Sequence, residues 1–132
     1  MLAITILGNN SAIPAWYRNP TAQILQSLEE CYLIDFGEGT QTQMAKYKIR
    51  RRRINHIFIS HLHGDHYFGL IGLLTSMSLL SRTQDLHLHA PAALQQIIDL
   101  QLFVAGIKLS YQLYFHAITA NEIIVDDAKI IV

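Results

Sequence analysis

Four residues that commonly bind metal ions fall within six positions near the middle of the chain. They are His61, His63, Asp65 and His66, in the run His61-Leu62-His63-Gly64-Asp65-His66. Residues two apart in an extended loop point the same way, so His61 and His63 can bind one metal ion. Asp65 and His66 fall where the loop turns into a helix and can face a second ion. Imidazole and carboxylate groups suit Zn²⁺, and also Mn²⁺ or Fe²⁺, so the motif predicts a metal site rather than four polar residues on an exposed loop.

A site of this kind predicts hydrolysis. Two metal ions roughly 3.5–4 Å apart can share a hydroxide and clamp the attacking and leaving oxygens of a phosphodiester. A metal-bound water whose pKa falls to about 7 supplies the nucleophile at neutral pH. The motif therefore indicates the chemistry, but it carries little information about the substrate.

The motif lies between a predicted buried strand and a predicted buried helix. Residues 54–60 form a nearly continuous apolar run, as in a strand that is covered on both faces. Residues 67–80 carry a broad apolar stripe with helical spacing. Further strands are predicted at 3–7, 22–26, 31–36, 86–90, 111–115, 122–125 and 129–132, and further helices from Thr40 or Thr42 to Tyr47 and from Pro91 to Gly106. This alternation of strands and helices is typical of a layered α/β domain.

Three segments of the chain resemble the ribonuclease Z family, endonucleases of the metallo-β-lactamase superfamily that trim the 3′ ends of precursor tRNAs. Residues 59–74, which include the histidine motif, are similar to the family's signature. Residues 33–43 resemble its Asp-x-Gly-Glu-x-Thr-Gln element, and residues 14–19 resemble its Pro-x-Lys-x-Arg-Asn loop near the acceptor-stem end. The resemblance covers the whole chain, in the family's order.

The resemblance implies roles for particular residues. His61 and His63 would hold one zinc ion, Asp65 and His66 would hold the other, and Asp65 would be the proton acceptor. Arg18 and Asn19 would belong to the loop that meets the 3′ end of the substrate, where an arginine suits phosphate. The loop's lysine position is Trp16 in this chain. Trp16 can stack on a base, so this loop departs from the family pattern.

The same resemblance predicts the fold, an αββα sandwich of which residues 1–132 form the N-terminal half: a mixed sheet with helices on one face. The chain ends on an apolar run, Ile130-Ile131-Val132, which favours a domain truncated at its C-terminal end. The family's remaining ligands and its tRNA-binding arm would lie beyond Val132. We therefore expect the 132-residue chain to bind zinc weakly and to cleave poorly. The uncovered sheet face, and the homodimers that family members form, predict self-association.

Several other residues have simpler interpretations. Asp35 is predicted to support the site by a hydrogen bond to a ligand histidine, and Cys31 to be a buried strand residue. His87 and His89 share one face of an alternating strand and are predicted to face solvent. The basic run Arg50-Arg51-Arg52-Arg53 is read as a solvated connection between a helix and a strand, with a nucleic-acid contact as the alternative.

Composition excludes several classes of protein. About half of the residues are hydrophobic and the formal net charge is zero, so disorder and a global attraction to nucleic acid are not predicted. One cysteine allows no internal disulfide. With no bilayer-spanning apolar run and no basic start typical of a signal peptide, the predicted location is the cytoplasm.

Three functions remain open on the sequence. The first is a zinc-dependent endoribonuclease that acts on precursor tRNA. The second is another phosphodiesterase or arylsulfatase-like hydrolase of the same fold. The third is a non-catalytic fragment that keeps half of the fold without turnover.

Overall fold

The computed structural model describes residues 1–13 and 15–119. The predicted strands 122–125 and 129–132 lie outside the described residues, as does Pro14 of the predicted substrate loop. Within the described ranges, no helix has the length and apolar character needed to cross a bilayer.

In the described residues, six strands form one mixed sheet, and their order in the sheet is their order in the chain. Their bounds are β1 Ala3–Gly8, β2 Ala22–Gln26, β3 Cys31–Ile34, β4 Ile54–Phe58, β5 Leu86–Ala90 and β6 Leu113–Ala117. The β1–β2 and β2–β3 pairs are antiparallel, whereas β3, β4, β5 and β6 run parallel to one another. The parallel strands are joined through helices, as parallel pairing requires. The predicted mixed sheet is confirmed.

The part of the chain that the structure describes also contains four α-helices: α1 Thr40–Lys46, α2 Gly64–Tyr67, α3 Leu70–Leu79 and α4 Ala93–Val104. A single-turn 3₁₀ helix, Arg51–Arg53, precedes β4. The predicted helix over 67–80 is therefore two helices. The break falls at Gly69, whose N–H donates to the Phe36 carbonyl at 3.1 Å. A side chain at Gly69 would lie 2.4 Å from the Gly37 carbonyl oxygen, so this contact between segments requires glycine.

The ends of α1 and α4 depend on glycines in the left-handed conformation. Gly39 precedes α1 with φ of 78°, and Thr40 does not cap the helix with its side chain but donates its hydroxyl to the Gly37 carbonyl at 2.7 Å. Gly106, with φ of 64°, follows α4. The Ile107 N–H donates to the Leu102 carbonyl at 2.9 Å, the bond that defines a Schellman ending. The predicted stop at Gly106 is confirmed.

The helices pack on one face of the sheet. Cross-strand neighbours Leu33, Ile57 and Leu88 are completely buried on this face. They belong to one cluster with helix residues Met44, Leu70, Leu73, Leu74, Met77, Leu94 and Ile98. Cys31 lies in the same cluster, which confirms the prediction of a buried strand residue, and burial raises the pKa of its thiol to about 11.

The opposite face of the sheet carries two rows of side chains, most of them aromatic or imidazole rings. Register places Tyr32, His56, His87 and Tyr114 in one row, and Ile34, Phe58, His89 and His116 in the next. Two pairs of ring nitrogens lie within hydrogen-bonding distance: His56 Nδ1 with His89 Nε2 at 3.1 Å, and His87 Nδ1 with His116 Nε2 at 2.9 Å. We call His56, His87, His89 and His116 the histidine ladder.

The prediction that His87 and His89 face solvent is wrong for His89, which is only 4% exposed. Its ring stacks between Phe58 at 4.7 Å and His116 at 4.5 Å, measured between ring centroids. Strand β5 has a neighbour on each side, and both neighbours carry a ring at the same register position. The alternation of residues along one strand cannot predict the burial of His89, because the side chains that bury it lie on the adjacent strands.

The histidine ladder should make stability depend on pH. Burial, followed by the nearby His116, His56 and His87, lowers the pKa of His89 from 6.5 to about 4. Burial and His116 also lower the pKa of His87, against the opposing effect of Asp85. Between pH 6.5 and about 4 the unfolded chain binds protons that the folded chain excludes, so stability is full above pH 6.5 and falls as the pH decreases.

Urea unfolding across this pH range checks the prediction. The His89→Phe variant keeps a ring but binds no proton, and we expect its free energy of unfolding to decrease less steeply below pH 6.5. Equal slopes for the two proteins would contradict the prediction.

Candidate metal centre

The predicted ligands lie at the carboxyl edge of the parallel strands. Asp35 directly follows β3, and the segment from Ser60 to His66 follows β4. Because β3 and β4 are parallel, their carboxyl ends meet at one edge of the sheet, where ligands of α/β sheets commonly bind. Two backbone bonds hold this edge together: Asp35 N–H donates to the Phe58 carbonyl at 2.8 Å, and Ile59 N–H donates to the His89 carbonyl at 2.9 Å.

The four predicted ligands lie next to one another. The ring centroids of His61 and His66 are 3.7 Å apart, and those of His61 and His63 are 4.7 Å apart. His66 Nε2 lies 3.4 Å from Asp65 Oδ2. His61 and His63 are exposed, whereas the side chains of Asp65 and His66 are 10% and 18% exposed. The motif therefore has an open side formed by two imidazoles and a more buried side formed by Asp65 and His66.

Asp35 orients His66 through a hydrogen bond to its ring. The Asp35 side chain is buried, and its Oδ2 atom lies 2.8 Å from His66 Nδ1. A carboxylate only accepts hydrogen bonds, so the proton of a neutral His66 stays on Nδ1 and the lone pair of Nε2 is left on the Asp65 side. Metal-bound histidines usually have this arrangement. The structure thus places Asp35 in hydrogen-bonding contact with His66, the predicted ligand, as the sequence predicted.

Ser60 is the residue that the sequence interpretation missed. Its N–H donates to Asp35 Oδ1 at 2.8 Å and its hydroxyl donates to Asp35 Oδ2 at 2.9 Å. The Ser60 hydroxyl also lies 3.0 Å from His66 Nδ1 and 3.3 Å from His61 Nδ1. The only sequence signal was a hydroxyl residue immediately before the first histidine. Its role depends on Asp35, which is far away in the chain.

Asp35 also ends its strand. Its φ of 57° is left-handed, a conformation that aspartate tolerates better than most residues. Strand β3 consequently stops at Ile34 instead of reaching residue 36 as predicted. This turn points the Asp35 carboxylate toward Ser60 and His66.

Gly37 allows three backbone segments to meet beside the motif. A side chain at Gly37 would lie 2.4 Å from the Asp65 carbonyl oxygen and 2.4 Å from Cβ of Pro20. Phe36 N–H donates to the His66 carbonyl at 2.6 Å, and Gly37 N–H donates to the Thr21 carbonyl at 3.2 Å. Hydrogen bonds thus connect the histidine motif to the loop after β3, and they connect that loop to the segment before β2.

The predicted substrate residues lie on that third segment. Asn19 accepts a hydrogen bond from Asn10 N–H at 3.0 Å through its carbonyl, and its Oδ1 atom is 3.2 Å from where a Cβ of Gly39 would be. Arg18 lies on an exposed turn and makes no ion pair with any described residue. The structure therefore brings Asn19 to the loop beside the motif, and it leaves the Arg18 side chain in solvent.

The four predicted ligands carry donor groups of the types that zinc binds. In residues 1–13 and 15–119, no three His, Cys, Asp or Glu side chains are arranged to hold one metal ion. If the four predicted ligands were divided between two ions, as the resemblance implies, each ion would have two protein ligands, whereas catalytic zinc usually has three. The nitrogen and oxygen donors, and the hydrogen bond from His66 to Asp35, nevertheless fit a zinc-binding motif.

Comparison with solved structures defines the class of protein. The structure of human tRNase Z, short form, matches with a TM-score of 0.87 and 33% sequence identity, over 99% of this chain and 58% of that chain. The metallo-β-lactamase fold protein YhfI from Bacillus subtilis matches with a TM-score of 0.73 and 18% identity, over 95% of this chain and 48% of that one. This chain therefore has the metallo-β-lactamase fold, as predicted.

Residues 2–124 match the family model described as Anti-Pycsar protein Apyc1, and the chain belongs to that family. Curated relatives carry the name Ribonuclease Z. The relative from Bacteroides thetaiotaomicron is 42% identical over 129 residues, which cover 96% of this chain and 41% of the relative. The relative from Lactiplantibacillus plantarum is 40% identical over 130 residues, which cover 96% of this chain and 42% of the relative. The chain thus spans about two fifths of the length of these relatives, and its predicted resemblance to ribonuclease Z is confirmed.

Proposed function

We propose that the chain is the N-terminal part of a zinc-dependent endoribonuclease that removes the 3′ trailer from precursor tRNA and leaves a 3′-hydroxyl on the tRNA. The observation that carries the proposal is the 2.8 Å contact between Asp35 and His66. It orients one imidazole of a four-ligand motif as a zinc-bound histidine is oriented. The names of the curated relatives, Ribonuclease Z, and of the human structural neighbour, tRNase Z, support the substrate.

Each residue of the motif has a proposed role. His61 and His63 hold one zinc ion, and Asp65 and His66 hold the other. When bound, the two ions supply a nucleophilic water at neutral pH and neutralise charge on the phosphodiester. Asp65 accepts the proton of the attacking water on its carboxylate, and Asp35 positions His66. Asn19 contacts the 3′ end of the substrate, with Arg18 on a phosphate.

The proposal extends to the setting in which the protein acts. The expected cofactors are two zinc ions for each complete site, the partner is precursor tRNA, and the compartment is the cytoplasm. We also propose a homodimer or other self-association, because the sheet face opposite the helices leaves Ile4 and Ile6 of β1 67% and 50% exposed.

Zinc retention and cleavage should differ between this chain and a completed site. We expect the 132-residue chain to lose zinc to a mild chelator and to cleave precursor tRNA slightly or not at all, because each ion has two protein ligands. A chimera that joins this chain to the part of the Bacteroides thetaiotaomicron relative left uncovered by the match should retain two zinc ions and release the trailer. The measurements are zinc content after dialysis and gel analysis of a labelled precursor tRNA.

Each half of this experiment can fail separately. Vigorous cleavage by the 132-residue chain would contradict the incomplete metal shells. A folded chimera that holds two zinc ions but leaves the trailer in place would contradict the proposed function.

A second candidate is a hydrolase of the same fold that acts on another phosphodiester. The match of residues 2–124 to the family described as Anti-Pycsar protein Apyc1 favours it, because that description names an action against Pycsar rather than on tRNA. Values of kcat/KM for precursor tRNA and for small linear and cyclic phosphodiesters, measured on the same chimera, separate the two candidates.

A further inference from the structure

The ring of Phe68 packs against the histidine motif at Gly64. A Cβ atom added to Gly64 would overlap three carbons of this ring, Cδ2, Cε2 and Cζ. Side chains of a helix lean toward the residue one turn earlier. Phe68 directly follows α2, and its N–H donates to the Gly64 carbonyl at 2.9 Å, so the two residues are held one turn apart. The ring therefore contacts the backbone between His63 and Asp65.

Glycine is required at position 64 by this ring and not by the backbone. Gly64 is the first residue of α2 and does not have a positive φ, unlike Gly39 and Gly106. Most other residues could take this backbone conformation, and alanine is more favourable than glycine in a helix. The ring of Phe68 fills the space that a side chain at Gly64 would need. The contact with Phe68 therefore explains why a poor helix former begins α2.

The two predicted ligands beside Gly64 are not oriented by hydrogen bonds as His66 is. His66 has Asp35 and Ser60 as partners at Nδ1. Among residues 1–13 and 15–119, the Asp65 carboxylate has one polar partner, His66 Nε2 at 3.4 Å. Within the same ranges, the ring of His63 contacts His61 and makes no hydrogen bond. The positions of His63 and Asp65 therefore depend on the backbone that carries them.

Packing holds that backbone at two points. The absence of a side chain at Gly37 leaves room for the Asp65 carbonyl, and the absence of a side chain at Gly64 leaves room for the Phe68 ring. Helix α2 has only four residues, and a helix this short is not stable by itself. Contacts with its surroundings therefore determine where the segment from His63 to Asp65 lies.

We propose that Phe68 is a positioning residue of the metal centre. Its ring, packed on Gly64, fixes the directions in which His63 and Asp65 project, and so the separation of the two metal ions. The inference rests on the proposed function for the assignment of His63 and Asp65 to different ions. It adds to the centre an aromatic residue that acts on the ions through the backbone, as Asp35 acts through the ring of His66.

Cobalt binding provides the test, because Co²⁺ accepts imidazole and carboxylate ligands and its visible absorption depends on their geometry. Titration of the 132-residue chain with Co²⁺ gives the affinity and, at saturation, the spectrum. Phe68 is 64% exposed, so Phe68→Ala should leave the core intact. We expect this variant to bind Co²⁺ about tenfold more weakly, within the range for residues that orient ligands, and to have a different spectrum at saturation. A loss of stability alone would weaken binding without changing that spectrum.

Paired substitutions identify the contact. Gly64→Ala should weaken Co²⁺ binding in the parent, because its methyl group displaces the ring, and should cause no further loss when Phe68 is already alanine. Phe68→Tyr keeps the ring and should bind as the parent does. Phe103→Ala is the matched control, because Phe103 is 82% exposed on the last turn of α4, and its affinity and spectrum should equal those of the parent. Urea unfolding measures the stability of each variant.

Three results would overturn the role of Phe68: no binding of Co²⁺ by the parent chain, the parent's affinity and spectrum in Phe68→Ala, or an equal loss from Gly64→Ala with and without the ring. The proposed function is tested separately by trailer release from the chimera. Trailer release combined with normal Co²⁺ binding by Phe68→Ala would contradict only the positioning role. Coupled effects of Gly64→Ala and Phe68→Ala without trailer release would contradict only the proposed function.

Discussion

Replacing Asp65 with asparagine is expected to slow trailer removal by the chimeric enzyme by about 10²–10⁴-fold, the range attributed to a positioned proton acceptor. Asparagine has nearly the same shape, but it carries no negative charge and accepts no proton at neutral pH. The Asp65 side chain is 10% exposed and lies 3.4 Å from His66 Nε2, so the change acts inside the motif. Single-turnover cleavage of a labelled precursor tRNA gives the rate.

Zinc content separates the two ways in which this variant can fail. If Asp65→Asn retains two zinc ions and loses activity, the lost step is proton transfer; if one ion is lost as well, Asp65 is also needed as a ligand. Asp99→Asn on the exposed side of α4 removes a carboxylate away from the motif and should leave the rate unchanged. Activity of Asp65→Asn within tenfold of the parent would contradict the role of Asp65.

Removing the Asp35 carboxylate should weaken both the fold and the metal centre. Asp35→Ala leaves the Ser60 N–H and the Nδ1 atom of His66 without their buried acceptor, and it places alanine at a φ of 57°. Breaking such a buried network costs about 3 kcal/mol of unfolding free energy. Without its partner, His66 is no longer held in one orientation, and zinc affinity should fall by about 10–100-fold.

Denaturant unfolding and competitive zinc titration measure the two effects. Asp35→Asn keeps a side chain that tolerates the left-handed conformation and retains one acceptor oxygen, so its loss of stability should be smaller than that of Asp35→Ala. Glu38→Ala is the control, because Glu38 is exposed on the same loop. Unchanged zinc affinity in Asp35→Ala would show that His66 is oriented without it.

The features that sequence predicted well depend on neighbouring residues in the chain. Local patterns in the sequence located β2 and β5 at their observed bounds, β5 through its alternation of apolar and polar residues, and the apolar run of β4 was located to within two residues at one end. Four residues of metal-binding types within six positions identified the candidate centre, because all four lie on one short segment of the chain. Gly106 predicted the end of α4 because a left-handed residue is a local requirement.

The features that sequence missed depend on contacts between distant segments. Ser60 matters because Asp35 reaches it from the end of β3, 25 residues earlier. The break between α2 and α3 arises because Gly69 bonds to Phe36 instead of continuing a helix. His89 is buried by rings on two neighbouring strands. Local propensity and periodicity contain none of these pairings.

The order of the strands has a consequence for synthesis on the ribosome. Each strand of the sheet pairs with the one that was made just before it, from β1 to β6. Within the described residues, a nascent chain can therefore extend the sheet by one strand at a time as each strand is made. Asp35, Ser60 and the histidine motif are all translated before β5, so the hydrogen bonds that orient His66 can form while the later strands are still being made.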